Sequence, residues 1–92
     1  MYYVYVLESA SDKGWYIGYT GDLRLRLRQH QNGVSRSTLH RRPWNLIYYE
    51  AYMEKDDALG RERFLKSGAG RVFLRKQCHT YFAKHVSEPR GA

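Results

Sequence analysis

Apolar and aromatic positions crowd the start of the chain, from Tyr2 to Leu7. A run so rich in β-branched and aromatic residues predicts a strand. Ser9, Ser11, Asp12 and Gly14 then supply turn chemistry, and Trp15 to Thr20 predicts a second strand. The two form an antiparallel hairpin. With its turn centred near Ala10 and Ser11, Tyr5 and Tyr16 face each other directly, unless a bulge shifts the register.

From Leu23 to Arg28 leucine and arginine alternate, which fits a strand on period alone. Asp22 as N-cap, the helix-forming Leu, Arg and Gln, and the stop at Asn32-Gly33 favour a helix instead. On that helix Leu23 and Leu27 share a stripe, and Arg26 and His30 share a face. Val34 to Arg42 reads as a polar, basic loop ended by Pro43, and Trp44 to Tyr52 as a third strand. Glu54 to Lys66 predicts a helix, with Asp56 and Asp57 near its positive end. Its apolar stripe of Ala58 and Leu65 is interrupted by Glu62. Gly68-Ala69-Gly70 is expected to break that helix. A last basic helix should then run from Arg71 to Phe82, packing through Val72, Leu74, Arg75 and Cys78. The fold expected is α/β: a three-stranded antiparallel sheet flanked by three main helices. One domain should cover residues 1–84, with a C-terminal tail at 85–92 that frays from Val86 onward.

Ninety-two residues leave room for one core. Hydrophobic residues at 42% and charged residues at 27% exclude a disordered chain. The nine tyrosines are the compositional anomaly; each can line a core with its ring while its hydroxyl reaches a polar site. The net charge of +7 favours a polyanionic partner, nucleic acid first and an anionic membrane second. Arg outnumbers Lys, and its planar fork suits phosphate, which moves the balance to nucleic acid. One cysteine, Cys78, excludes an internal disulfide and a zinc cluster. No signal-like segment opens the chain, and the apolar run Tyr2 to Leu7 is far too short to span a bilayer. A cytoplasmic protein without a membrane partner is the expectation. Trp15 and Trp44 are read as packing residues, and His40 as an exposed loop residue.

Two short segments, Tyr3-Val4-Tyr5 and Tyr16-Ile17-Gly18, resemble the paired strand motifs that name the GIY-YIG nucleases. In that family an Arg follows on the first helix, often a His one turn later, and a metal-binding Glu on a later helix. Arg26 lies ten residues after Tyr16, His30 four further on, and Glu62 sits in Ala58-Leu59-Gly60-Arg61-Glu62. The resemblance covers nearly the whole chain. It is nearest to the small stand-alone bacterial-type members, which share the Arg41-Arg42-Pro43-Trp44 segment and the Phe64-Leu65-Lys66 ending. Two departures stand out: Tyr3 occupies the place of the naming Gly, and no Asn follows Asn45 to assist the metal Glu.

The resemblance implies a metal-dependent endonuclease on DNA, structure- or single-strand-directed, in the setting of DNA repair or recombination. Its site would be Tyr5, Tyr16, Arg26, His30 and Glu62, with one Mg²⁺ or Mn²⁺ ion at Glu62. Tyr5 is the candidate general base, helped by a cation or by His30 as proton relay. Tyr16 orients water or phosphate, and Arg26 grips phosphate oxygens. Candidate nucleic-acid contacts are Arg24 and Arg28 beside that helix, Arg36, Arg41 and Arg42 in the loop, and Arg71, Arg75 and Lys76 near the end. A protein partner supplying specificity is a further expectation. A binding module of the same fold that does not cut is the rival reading, and a partner-activated interaction subunit is a third.

Overall fold

The computed structural model describes residues 1–85; the expected fray from Val86 to Ala92 lies outside them. Strand β1 (Tyr2–Ser9) is central, flanked by β2 (Trp15–Thr20) and β3 (Trp44–Tyr52), both antiparallel to it. Helix α1 (Leu23–Gln31) joins β2 to β3 through a loop with a short 3₁₀ turn at Leu39–Arg41. Helices α2 (Lys55–Lys66), α3 (Gly68–Gln77) and α4 (His79–Lys84) follow. The three-stranded antiparallel sheet with flanking helices is as the sequence predicts.

Alternation along the strands gives the sheet two packed faces. Val4 and Val6 of β1 and Ile17 of β2 meet Ala58 and Leu65 of α2 and Leu74 of α3 in one cluster. Tyr5 and Leu7 point the other way, onto Trp44, Tyr16 and the α1 leucines Leu23 and Leu27. A Glu50 carboxylate on β3 binds the helices to the first face. It accepts the hydroxyls of Tyr48 and Tyr52 and two guanidinium bonds from Arg61, at 2.9 and 3.1 Å. Arg61 in turn lies over the Phe64 and Phe73 rings, so it is held on both sides.

Three local expectations change. Tyr5 pairs with Gly18 and Tyr16 with Leu7, so the two tyrosines are diagonal on one face rather than directly opposite. The turn is longer than assumed: the Ser9 hydroxyl accepts from Ser11 and Asp12 amides, and Lys13 takes a left-handed conformation (φ 62°). Gly68 to Gly70 does not separate helices but begins one. Ser67 ends α2 and caps α3, its hydroxyl accepting from the Gly70 amide at 3.1 Å. A Cβ on Gly70 would stand 2.0 Å from the Phe64 carbonyl oxygen, so this glycine allows α3 to lie against the end of α2. Finally, the expected helix from Arg71 to Phe82 is two, divided at Cys78. Leu74 is buried as predicted, but Val72 and Arg75 are exposed, and Phe73 packs on the core instead.

Candidate functional site

Asp22 starts α1 at the end of the hairpin, its carboxylate accepting from the Leu25 amide at 3.1 Å. Gln31, in the last turn, clamps the backbone of Trp44 at both its N–H and its C=O. So anchored at each end, α1 carries Arg26 and His30 onto the sheet face that holds Tyr5 and Tyr16. The four side chains meet there. The Tyr5 hydroxyl stands 2.9 Å from His30 Nε2, and the Tyr5 and Tyr16 ring centroids are 6.3 Å apart. The His30 ring lies 5.0 Å from that of Tyr16.

His30 has no solvent exposure, and its second nitrogen, Nδ1, stands 2.9 Å from Thr38 Oγ1. Thr38 is also buried, and its hydroxyl reaches the Ser35 carbonyl. One assignment gives every group a partner: Tyr5 O–H donates to Nε2, Nδ1–H donates to Thr38, and Thr38 donates to Ser35. Burial first, and the Arg26 charge second, hold the His30 pKa below its usual 6.5. The imidazole is therefore neutral at neutral pH and able to accept.

Tyr5 is likewise wholly buried. Burial drives its pKa up to about 12, against an interaction with the Arg26 guanidinium that pulls it down. The charges of Tyr16 and Glu62 push it further up, which brings the α2 carboxylate into the electrostatic reach of this cluster. Without substrate, the phenol is no base. Tyr16, Arg26 and Glu62 are each partly exposed and make the accessible side of the arrangement. Arg26 rests on Gln29 Oε1 at 3.1 Å, and Glu62 pairs with Lys66 one turn on, also at 3.1 Å.

Three participants were not picked out in the sequence. A Cβ on Gly18 would stand 2.4 Å from the Tyr5 hydroxyl oxygen, so the glycine of the second motif clears the space in which that phenol lies. Its motif position was a signal; its partner was not. Thr38 orients His30 from a polar loop, where nothing local distinguishes it from a solvated residue, and Gln29 holds Arg26 from one turn along α1.

The basic residues divide. Arg24 and Arg28 are exposed on α1; Arg24 borders a cavity of about 310 Å³ with Tyr3 and Tyr49. Arg36 and Lys76 are exposed as well. Arg41 is engaged, donating to Asp12 at 2.8 and 3.2 Å and lying over Trp44, and these bonds hold the Asp12 pKa down to about 2. Arg42 donates to the carbonyls of Leu39 and Gln31. Arg71 and Arg75 sit on α3, behind the sheet from α1, both over the Trp15 indole.

Glu62 supplies a single carboxylate. Among the described residues no three His, Cys, Asp or Glu gather around a common point. Such a donor set does not suit an ion that needs a protein cage. It does fit a hard divalent ion of the Mg²⁺ kind, which keeps most of its waters and is completed by substrate phosphate oxygens.

Comparison with known proteins finds relatives over nearly the whole chain. A UPF0213 protein of Streptococcus pyogenes serotype M5 is 39% identical over 90 residues, covering 97% of this chain and 92% of that protein. Another, from serotype M3 (strain MGAS315), is 38% identical over the same shares. The solution NMR structure of a UPF0213 protein from Bacillus halodurans superposes with a TM-score of 0.53 at 33% identity, covering 84% of this chain and 85% of that one. No helix among the described residues is long and apolar enough to cross a membrane. The family model of the GIY-YIG catalytic domain matches residues 1–75, and the chain therefore belongs to the GIY-YIG family, alongside the small stand-alone UPF0213 proteins.

Proposed function

We propose that this protein is a metal-dependent endonuclease that hydrolyses DNA phosphodiester bonds, directed by structure or single-strandedness, with residues 1–84 as the working unit. The observation that carries the reading is the Tyr5–His30 hydrogen bond of 2.9 Å, set beside Arg26 and Tyr16 and within the field of Glu62. A binding module has no use for a buried phenol wired to a neutral imidazole.

A divalent ion bound at Glu62 would polarise the phosphate and stabilise the leaving alkoxide. The chain's own groups do the rest. Arg26 leaves Gln29 and forks onto two phosphate oxygens. Its departure from beside the Tyr5 hydroxyl gives water access to it, and the phosphate offsets the Arg26 charge, the smaller of the two effects that depress His30. The neutral His30 then accepts the Tyr5 proton at Nε2 while Tyr5 takes one from the attacking water. Thr38 keeps the Nδ1–H oriented so that Nε2 is the accepting nitrogen. Tyr16, partly exposed beside them, hydrogen-bonds water or a phosphate oxygen.

The test is a panel of labelled single-stranded, duplex, flap and branched DNAs, each with Mg²⁺ and with Mn²⁺, comparing the wild-type protein with Glu62→Gln. Cleavage should fall by at least about 100-fold in the variant, while binding stays within about twofold. If the wild-type protein binds these DNAs and cuts none with either metal, the nuclease reading is wrong and the binding module takes its place.

A further inference from the structure

Behind the sheet, at the hairpin end of β1 and β2, lies a cavity of about 330 Å³ that the proposed cleavage chemistry does not use. Glu8, Lys13, Trp15, Arg71, Arg75 and Phe82 line it. Glu8 and Trp15 are cross-strand partners, three positions along β1 from Tyr5 and on the other face of the sheet. At the strand rise this is a separation of about 10 Å, with the sheet between. We propose that this cavity is a second nucleic-acid site, which takes one unpaired nucleotide of a DNA single strand and prefers guanine.

Each part of a nucleotide has a counterpart in the wall. Phe82 stacks on Trp15 at 5.4 Å and 23°, and the Arg75 and Arg71 guanidiniums lie 5.1 and 5.4 Å from the indole centroid. Aromatic rings and guanidinium planes layered in this way form the kind of surface on which unpaired bases stack. Neither arginine, nor Lys13, has an acidic partner among the described residues, so three cations are available to phosphate. Both arginines are already held against an indole, which lowers the ordering cost of binding.

Glu8 supplies the preference. Its residue is 8% exposed, and Oε1 accepts the Tyr81 hydroxyl at 2.6 Å. Oε2 has no hydrogen-bond partner among the described residues and is not a buried unsatisfied oxygen, so it keeps some solvent contact, and Glu8 lines the cavity. A carboxylate only accepts. Guanine presents adjacent N1–H and N2–H donors on its Watson–Crick edge, whereas the thymine N3–H is flanked by two carbonyls that repel a carboxylate. That edge is free only in an unpaired base, which excludes a duplex as the occupant.

This site shares with the proposed function only the choice of nucleic acid as partner, so the experiment is run with metal chelated and no cleavage needed. The full chain, ¹⁵N-labelled, is titrated with a thymidine oligomer of about eight nucleotides, the same oligomer with one central guanine, dGMP, and inorganic phosphate. The guanine oligomer should shift the Trp15 indole and Arg75 amide signals and bind about 10-fold tighter than the all-thymine strand. In Glu8→Gln the amide oxygen stays with Tyr81 and the NH₂ faces the cavity, donor against donor, so the guanine preference disappears while thymine binding is kept. Arg75→Ala, on an exposed helix position, should weaken both oligomers by one factor and lower the salt slope by about 0.7. Equal affinity for the two strands, shifts confined to the α1 face, or a preference that survives Glu8→Gln would overturn the proposal. Binding of dGMP as tight as the guanine strand would make this a free-nucleotide site and overturn the assignment to a strand.

Discussion

Gly18 and Tyr5 show how a single atom decides the site. The phenol lies where a Cβ on residue 18 would be, 2.4 Å from its oxygen, and Tyr5 is buried with nowhere to swing. Gly18→Ala should therefore cost about 1–3 kcal/mol in stability. It should also displace the hydroxyl from His30, lowering cleavage by about 100-fold or more, since proton-transfer groups commonly contribute that much. Thermal melts and single-turnover cleavage read the two effects separately; a variant that cuts at the wild-type rate would detach the phenol from the chemistry. His30 carries a second expectation. Its folded pKa is depressed, so below the unfolded value of 6.5 the unfolded chain binds a proton that the folded one refuses. Its contribution to stability is whole above pH 6.5 and is lost as pH falls from there through the lower folded value. Urea midpoints between pH 7.5 and pH 5 should decline in the wild-type protein and flatten over that window in His30→Gln. Parallel curves would mean that the imidazole titrates freely.

At the scale of elements, Gly70 is the position where a local rule and the fold disagree. Two glycines around an alanine resemble a breaker, yet the break is at Ser67 and Gly70 lies inside α3, against the Phe64 carbonyl and Leu65 Cα of α2. Backbone atoms cannot yield as a side-chain tip can, so Gly70→Ala should destabilise by about 3 kcal/mol, whereas Gly68→Ala, which meets open space, should be neutral or better. Equal melting temperatures for the two variants would contradict the packing of α3 on α2. The same contrast explains what was legible. Asp22, the helix-forming Leu, Arg and Gln, and Asn32-Gly33 fixed α1 against its strand-like alternation because propensity, capping and stop signals are local. The candidate site residues Tyr5, Tyr16, Arg26, His30 and Glu62 stood out only through their joint order and spacing. The hairpin register was not legible, because it depends on Lys13 adopting a left-handed turn and on Ser9 serving two amides. Thr38 was not legible either, since its partner is set by tertiary contact, whereas Gln29 stands one turn from Arg26 on α1 and was open to an i,i+3 reading.

Across the whole molecule, the sheet separates the positive charge into two groups. Arg24 and Arg28 stand on α1, over the face that carries Tyr5 and Tyr16, and Arg71 and Arg75 stand on α3, over the opposite face. Arg41 and Arg61 are committed to Asp12 and Glu50, so they add less to a phosphate track than their number implies. A short, stiff duplex laid on the α1 face cannot also reach α3, because the sheet stands between. A flap or branched DNA, with a flexible arm, can engage both. Each phosphate contact contributes about 0.9 to the slope of log K against log salt on duplex, and about 0.7 on a single strand. Arg24→Ala/Arg28→Ala should therefore lower the slope by about 1.8 on both substrates. Arg71→Ala/Arg75→Ala should leave it unchanged on the short duplex and lower it by about 1.4 on the flap. Because the groups share no partner, their losses on the flap should add. This pattern would make structure-directed binding a consequence of where the sheet lies between two arginine pairs. Equal losses for both pairs on the short duplex would show that the charges act as one field instead.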